Sequence, residues 1–259
     1  TNYFPSRESI ELRAPHDQRQ VIGMMPVCST DDLAEVIKQA RATQKEWSQR
    51  SVEERVSAIE PFGSLIEGHL DELVEVLKTE QGMLDSVVRR EVQESIGQIK
   101  HSLKIGPTEL ASMRLADDSF TAEIKKVPYG ITAAIVPWNA PTSLATAKVI
   151  PALLAGNAII VKPSPRAPQG VTKFLDLLRG CLTPGLISVL HGLDELGEAL
   201  IRHRDIRKIS FTGSTAVGKR VAAAAATELK SVQLELGGND AAIVLPDADI
   251  TTTASQLID

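Results

Sequence analysis

The stretch "IRKISFTGSTAVGKRVAAAAATE", residues 206–228, decides the fold. Its first part is a short apolar run that includes Ile209 and Phe211, and such runs are typical of buried strands. Its second part is rich in alanine, the residue with the highest helix propensity. Gly213 and Ser214 stand between the two parts, where a turn and a helix cap are needed. The stretch therefore predicts a strand that leads directly into a helix.

The same stretch matches most of a phosphate-binding loop for nucleoside triphosphates. Gly213, Gly218 and Lys219 have the spacing G-x-x-x-x-G-K. That loop needs a serine or threonine after the lysine to hold Mg²⁺, and this chain has Arg220. We therefore expect Gly218 to allow close helix packing and Lys219 to be a solvated helix residue, and a Mg²⁺-dependent ATPase is the weaker alternative.

Outward from this stretch, short apolar runs alternate with helical patterns. The predicted strands are "ITAAIVPW", "AIIVKPSP", "LISVLHG", "IRKISFTGS", "SVQLELGG" and "AAIVLP", and helical patterns separate most of them. This alternation predicts an α/β fold: a Rossmann-like parallel sheet with helices on both faces. In such sheets ligands bind beyond the carboxyl ends of the strands.

The first half of the chain has a helical pattern. Ser51 and Glu54 form a predicted capping box, Pro61 is expected to end one helix, and Gly82 is expected to end another. Residues 86–104 form a further amphipathic stretch, and we assign no chemistry to these helices. Residues 1–110 are thus predicted to be an N-terminal helical part.

Alternating residues near 119–127 predict an extended segment or hairpin within 111–128, after which residues 129–259 form the Rossmann-like part. The apolar residues Phe120, Ala122 and Ile124 alternate with polar ones. We expect one face of this segment to be exposed, where it could pair with a partner chain.

Composition excludes several classes of protein. The chain has 259 residues, 43% hydrophobic and 24% charged, as expected of a globular protein with a real core. Its net charge of −5 and the absence of a basic block argue against nucleic-acid binding. Cys28 and Cys181 form no disulfide or zinc pattern. With no membrane-length apolar run and no signal-peptide pattern, we expect a cytoplasmic protein.

Polar clusters follow four of the predicted strands. They are centred on Asn139, Lys162, Ser214 and Glu235. Taken singly, Asn139 could cap a turn, Lys162 could be a solvated lysine, and Ser214 could be only a helix cap. Glu235 is harder to explain, because a carboxylate in an apolar strand is either paired or kept for chemistry. All four lie at the edge where a ligand is expected.

The motifs that carry these clusters resemble those of the aldehyde dehydrogenase superfamily. They are "PWNAP", "AGNAIIVKPSP", "FTGSTAVGKRV" and "LELGGND", in this order. The combination is specific although no single motif is, and the resemblance extends over essentially the whole chain. It implies oxidation of an aldehyde by NAD or NADP through a cysteine thiohemiacetal and a thioester.

The resemblance implies roles for individual residues. Asn139 matches the amide that stabilises the oxyanion, and Glu235 matches the glutamate that activates the hydrolytic water, with partial burial expected to raise its pKa. Lys148 matches a lysine near the reaction centre. Lys162 matches the lysine that binds the adenosine ribose. The complete predicted cofactor set is Pro137, Trp138, Lys162, Ser164, Phe211, Thr212, Gly213, Ser214, Val217, Glu235, Leu236 and Gly237, and no metal site is predicted.

The sequence departs from the family in its nucleophile. The family cysteine lies beyond the glutamate in a G-Q-x-C context, and no cysteine follows Glu235 here. A helical pattern with Ile250 and Leu257 on one face runs to the end of the sequence, so we expect the N-terminal half of a longer protein. Cys181 and Cys28 are interpreted as packing residues. The chain alone is expected to be inactive, and a truncated, non-catalytic homologue is the alternative.

Two further departures concern specificity. Many relatives have a glutamate where this chain has Pro165, and that acid opposes a 2′-phosphate, so the choice between NAD and NADP stays open. Small side chains follow Asn139, which predicts a roomy pocket for larger or aromatic aldehydes; they are Ala140, Ser143, Leu144 and Ala147. The segment 119–127 resembles part of the family's oligomerisation hairpin, which implies a homodimer or homotetramer.

Overall fold

A computed structural model describes residues 8–258 of the protein. The chain begins with an antiparallel hairpin of β1 (Ser9–Ala14) and β2 (Asp17–Pro26). The helical pattern predicted for the first part of the chain did not include this hairpin. The signal was present, because Leu12 and Ala14 alternate with polar residues and are buried. The start of the N-terminal segment, residues 1–7, lies outside the described residues.

Five helices follow the hairpin. They are α1 (Thr30–Trp47), α2 (Val52–Ile59), α3 (Pro61–Gly68), α4 (Leu70–Gln81) and α5 (Asp85–Leu110). The predicted capping box of Ser51 and Glu54 is present, α3 begins at Pro61, and α4 ends before Gly82. The stretch predicted at 86–104 is longer than expected and continues to Leu110.

A second antiparallel hairpin confirms the extended segment expected within 111–128. It consists of β3 (Met113–Ala116) and β4 (Thr121–Ile124). All of its large apolar side chains are exposed, among them Met113, Phe120 and Ile124. The hairpin therefore has an uncovered apolar surface. An isolated two-stranded ribbon is only marginally stable.

The centre of the molecule is the parallel sheet predicted from the alternating pattern. Its elements, with the intervening helices, are β5 (Ile131–Ile135), α6 (Pro141–Leu154), β6 (Ala158–Lys162), α7 (Gln169–Cys181), β7 (Ile187–Val189), α8 (Asp194–Arg202), β8 (Ile206–Thr212), α9 (Thr215–Ala226) and β9 (Ser231–Glu235). The strand order is β7-β6-β5-β8-β9, with every neighbouring pair parallel. The chain runs outward from β5 to β7 and then returns to the other side of β5. The order therefore reverses between β5 and β8, where ligands bind in open α/β sheets.

Both faces of the sheet are covered. In β6, Ile159 and Val161 belong to a core shared with α2–α7, whereas Ala158 and Ile160 belong to a core shared with α1, α8 and α9. This alternation explains why the first four residues of the strand are all apolar. The Trp47 indole ties α1 to α6 by donating to the Leu153 carbonyl at 2.8 Å.

The segment after β9 differs from the prediction. "AAIVLP" was predicted to be a strand but has no strand pairing, and Ile243, Val244 and Leu245 are exposed. A strand needs a neighbouring ladder and a covered apolar face, and neither exists here within residues 8–258. The terminal helix α10 (Ile250–Ile258) forms as expected, with no buried side chain.

Candidate functional site

The loops after β5 and β8 bring the predicted site residues to one edge of the sheet. Ile135 pairs with Lys162 on one side and with Phe211 on the other. Thr212 pairs with Glu235 on β9, and the Gly213 amide donates to the Glu235 carbonyl at 3.0 Å. Lys162, Phe211, Thr212 and Glu235 thus lie at the carboxyl ends of neighbouring strands on both sides of the reversal point.

A groove of about 380 Å³ lies between α8, α9 and this edge. Lys162, Phe211 and Val217, three of the predicted cofactor residues, line it. Arg220 of α9 and Glu198 of α8 also line the groove and form an ion pair at 3.1 Å. Most of the groove lining comes from the consecutive elements α8, β8 and α9, with Ile135 added from β5 and Lys162 from β6.

Lys162 is the buried cation of this groove, only 6% exposed. Burial lowers the pKa of its ammonium, and the nearby Asp194 carboxylate opposes that shift. Both Lys162 and Asp194 line the groove. A buried ammonium retains strong donor capacity for a ligand hydroxyl or phosphate, because desolvation strengthens its interactions.

Two glycines at the turn from β8 into α9 allow neighbouring side chains to pack closely. A methyl group at Gly213 would come within 2.6 Å of the Phe211 ring, and one at Gly218 would come within 2.4 Å of Leu236. Gly218 is therefore a packing glycine and Lys219 is exposed, as expected. The Ser214 hydroxyl accepts from the Val217 amide at 3.3 Å and acts as the helix N-cap.

Other predicted cofactor residues have local partners or lie on the surface. The Ser164 hydroxyl accepts from the Arg166 amide at 3.2 Å, and the Arg166 guanidinium lies 6.0 Å from the Trp138 ring centre. Trp138 is exposed and Pro137 is half-buried. The Thr212 hydroxyl oxygen is buried without a protein hydrogen-bond partner. Gly237, beyond β9, is exposed.

The predicted catalytic residues are less enclosed than the groove. Asn139 is exposed, and Glu235 is exposed too, so the expected partial burial of its carboxylate was wrong for the described chain. The reason is that Glu235 ends β9 at the edge of the sheet, where no further element covers it. Lys148 is 7% exposed, and burial lowers its pKa while the Glu235 carboxylate opposes that shift.

A second cavity of about 400 Å³ lies between α6 and the sheet, where Lys148, Ser210 and Gln233 line it. Ala147, one of the predicted pocket residues, lines it as well. Ser143 is buried, with its hydroxyl donating back to the Ala140 carbonyl at 3.3 Å. Ala140 and Leu144 are half-buried.

The two cysteines are free and belong to packing regions. The Cys181 thiol donates to the Leu177 carbonyl at 3.4 Å at the end of α7. Burial raises the pKa of both thiols, which disfavours the reactive thiolate. Within residues 8–258 there is no group of three or more His, Cys, Asp or Glu side chains that could hold a metal ion.

Sequence reasoning missed two buried carboxylates in the N-terminal helices. Glu80 accepts from the Gln169 and Gly170 amides at 2.7 and 2.9 Å, and Glu91 accepts from the Thr142 amide at 2.7 Å. The available signal was an acid on the apolar face of each helix, three residues from Leu77 or Val88. The prediction that these helices carry no chemistry did not take this signal into account.

Comparison with known proteins identifies the class. A family model described as "Aldehyde dehydrogenase family" matches residues 3–259. The chain therefore belongs to the aldehyde dehydrogenase family, as its motifs predicted.

Individual relatives agree with this assignment. The chain is 34% identical over 239 residues to aldehyde dehydrogenase LUC3 of Fusarium sp., covering 92% of this chain and 50% of that protein. It superposes with a TM-score of 0.91 and 30% identity on the structure of PnpE in complex with nicotinamide adenine dinucleotide, covering 96% and 51%. It superposes with a TM-score of 0.90 and 32% identity on NADP-dependent glyceraldehyde-3-phosphate dehydrogenase from Bacillus halodurans complexed with NADP, covering 97% and 54%. The chain spans about half the length of the curated relatives it matches.

Proposed function

We propose that the complete protein containing this chain is an NAD(P)-dependent aldehyde dehydrogenase that oxidises an aldehyde to a carboxylic acid. The observation that carries the proposal is the groove at the reversal point of the sheet, where buried Lys162 and Phe211 lie next to the loops of Asn139 and Glu235. Two of the solved relatives contain NAD or NADP. A bound nicotinamide cofactor would supply the hydride acceptor.

The groove fits the adenosine end of such a dinucleotide. Lys162 would donate to ribose hydroxyls, and Phe211 and Val217 would provide apolar contact. The N-terminus of α9, beginning after Ser214, would face the pyrophosphate, because its free amides and helix dipole favour an anion there. The other residues of the proposed cofactor surface are Thr212, Gly213, Leu236, Gly237, Pro137, Trp138 and Ser164.

At the reaction centre we assign three residues. The Asn139 amide would donate to the oxyanion that forms on the substrate carbonyl. Glu235 would accept a proton from the water that hydrolyses the acyl intermediate, and Lys148 is buried near that carboxylate, which opposes the fall that burial causes in the lysine's pKa. Because neither Cys28 nor Cys181 has the setting of a nucleophile, we propose that this chain alone does not turn over aldehydes.

The proposed substrate is a larger or aromatic aldehyde. Ala140, the N-cap of α6, and Ala147, within α6, are small. Small side chains leave volume for a bulky ligand. A clear preference of the complete enzyme for acetaldehyde over benzaldehyde in kcat/KM would contradict this assignment.

We further propose a cytoplasmic homodimer or homotetramer. The free cysteines suit a reducing compartment, and no helix within residues 8–258 is long and apolar enough to cross a membrane. The exposed hairpin β3–β4 would form the subunit contact. The proposed organisation is 1–110 and 129–259 as the cofactor-binding domain, joined by 111–128 as the oligomerisation segment.

The function is tested on the complete protein with NAD, NADP and a panel of aldehydes. We expect aldehyde-dependent formation of reduced cofactor, and in Glu235→Gln we expect a first turnover followed by a stall, because the acyl intermediate is no longer hydrolysed. Cofactor binding without any turnover would favour the alternative of a non-catalytic homologue. Sustained turnover by the 259-residue chain, abolished by Cys181→Ala, would overturn the assignment of the nucleophile.

A further inference from the structure

We propose that Glu91 and Gln81 are positioning residues that hold the Asn139 loop from both sides. This inference rests on the proposed function, which makes Asn139 the oxyanion donor. Both residues belong to the N-terminal helical region, outside the motifs that carry the family resemblance.

The first contact replaces a missing helix cap. The helix α6 begins directly after Asn139, and its N-cap is Ala140, which has no side-chain oxygen to accept a hydrogen bond. The first turn of a helix has free amides that need acceptors. Glu91 of α5, 7% exposed, accepts from the Thr142 amide at 2.7 Å and from its hydroxyl at 2.5 Å. The Ser143 amide donates to the same oxygen at 3.4 Å.

The second contact holds the other side of the loop. The Gln81 amide nitrogen donates to the Trp138 carbonyl at 3.0 Å. The side chain of Gln81 lies near the Glu91 carboxylate and opposes the rise that burial causes in its pKa. Asn139 lies between Trp138, held by Gln81, and Thr142, held by Glu91.

The two contacts fix the backbone on both sides of Asn139. Burial raises the pKa of Glu91, and the hydrogen bonds from Thr142 and Ser143 oppose that shift. Asn139 itself is exposed, and none of the hydrogen bonds within residues 8–258 orients its backbone directly. Its position therefore depends on the residues before and after it. A displacement of about 1 Å can lower a rate by up to roughly 100-fold.

A matched control exists in the same molecule. Glu80 is 2% exposed and accepts from the first amides of α7, whose N-cap, Pro168, makes no side-chain cap hydrogen bond. The physical device is the same, but α7 does not carry Asn139. Glu80→Gln therefore measures the general effect of losing a buried helix-capping carboxylate, apart from any effect on Asn139.

The experiment is a double-mutant cycle on the complete enzyme. We expect Glu91→Gln to lower kcat by roughly 10- to 100-fold with an unchanged Kd for NADH, and Glu80→Gln to leave kcat unchanged. In the Asn139→Ala background, Glu91→Gln should have almost no further effect on kcat, because residues that act as a unit are not additive. Equal losses of kcat from Glu91→Gln in both backgrounds would overturn the proposal.

Two additional variants separate the possible failures. Gln81→Met removes the second contact without removing a charge, and we expect a smaller loss of kcat that is also absent in the Asn139→Ala background. If Glu91→Gln does not fold, this variant decides the proposal alone. If Asn139→Ala retains full kcat, the proposed function fails; if it loses activity while Glu91→Gln and Gln81→Met do not, only the positioning role fails.

Discussion

The cofactor groove and the reaction edge differ in how completely this chain builds them. The groove lies between α8, α9 and the sheet, and its Lys162 and Phe211 are buried. The reaction edge, defined by Asn139, Lys148 and Glu235, has only Lys148 buried. Consecutive elements can enclose a site between them, whereas an edge residue such as Glu235 needs cover from elsewhere. Variants at the reaction edge should therefore change kcat, and variants in the groove should change the Kd for the cofactor.

The largest expected effect is on the reaction edge. In the complete enzyme, Asn139→Ala should lower kcat by roughly 100- to 1,000-fold, because one oxyanion donor is lost. The Kd for NADH, measured by fluorescence titration, should not change. A matched Asn157→Ala variant removes an amide that bonds to backbone near β6; it should lower stability and leave the kcat of the folded enzyme intact. If Asn139→Ala weakened NADH binding and left kcat unchanged, the distinction between the groove and the reaction edge would be wrong.

The next effect is on the groove. Lys162→Met keeps much of the buried aliphatic volume and removes the ammonium, so the Kd for NADH should rise by roughly 10- to 100-fold, the loss of a charged hydrogen bond. At saturating cofactor, kcat should stay near that of the wild type. The solvated Lys219→Met is the control and should bind NADH normally. An unchanged Kd for Lys162→Met would remove this lysine from the cofactor site.

A smaller effect concerns how stability depends on pH through two buried groups that do not line the groove, Glu80 and His191. Burial raises the pKa of Glu80 to about 7, above its ordinary 4.5, so the folded state binds the extra proton between these values. Its contribution to the unfolding free energy therefore falls as pH rises from about 5 to 7. Burial lowers the pKa of His191 to about 4, below its ordinary 6.5, so its contribution rises with pH over much of the same window.

The two contributions oppose each other, and single variants should separate them. Relative to the wild type, Glu80→Gln should gain about 2 kcal/mol of unfolding free energy between pH 5 and 7, and His191→Asn should lose a similar amount. Urea unfolding at several pH values measures both. Curves for the two variants that run parallel to the wild type would contradict the assigned protonation states.

The smallest expected effect is on cofactor choice. Pro165→Glu places a carboxylate beside the proposed ribose site, where it would repel a 2′-phosphate. The ratio of the Kd for NADPH to that for NADH should rise by roughly 5- to 10-fold, corresponding to about 1 kcal/mol between like charges. Pro165→Gln, of similar size without the charge, is the control. An equal change in both variants would show that charge does not act there.

Much of the fold could be predicted because its signals are local. The β8–α9 turn, the capping box of Ser51 and the end of α4 at Gly82 all depend on a few adjacent residues, and the structure confirms them. The hairpin β1–β2 was missed although its alternation was visible. The predicted strand "AAIVLP" was wrong, because a strand depends on a partner as well as on its own apolar residues.

The candidate site shows the same difference between local features, which the sequence predicts, and features that depend on packing. The motif residues could be assigned from the sequence, but the exposure of Glu235 could not, because burial depends on what lies beside β9. Glu91 was missed for a related reason: its partner Thr142 is 51 residues away along the chain. On the helix its spacing to Val88 and Val92 indicates only a packing face.

The sequence by itself determined the turn at Gly213 and most of the helices and strands, since each depends on neighbouring residues, and the order of several separated motifs determined the family. Only the tertiary structure decided that the strand order reverses between β5 and β8, which places Lys162 and Phe211 on either side of Ile135. It also decided that Glu91 supports the start of α6. The physical reason is that burial and long-range hydrogen bonds depend on how elements pack together, whereas the pattern within one element is the same wherever that element lies.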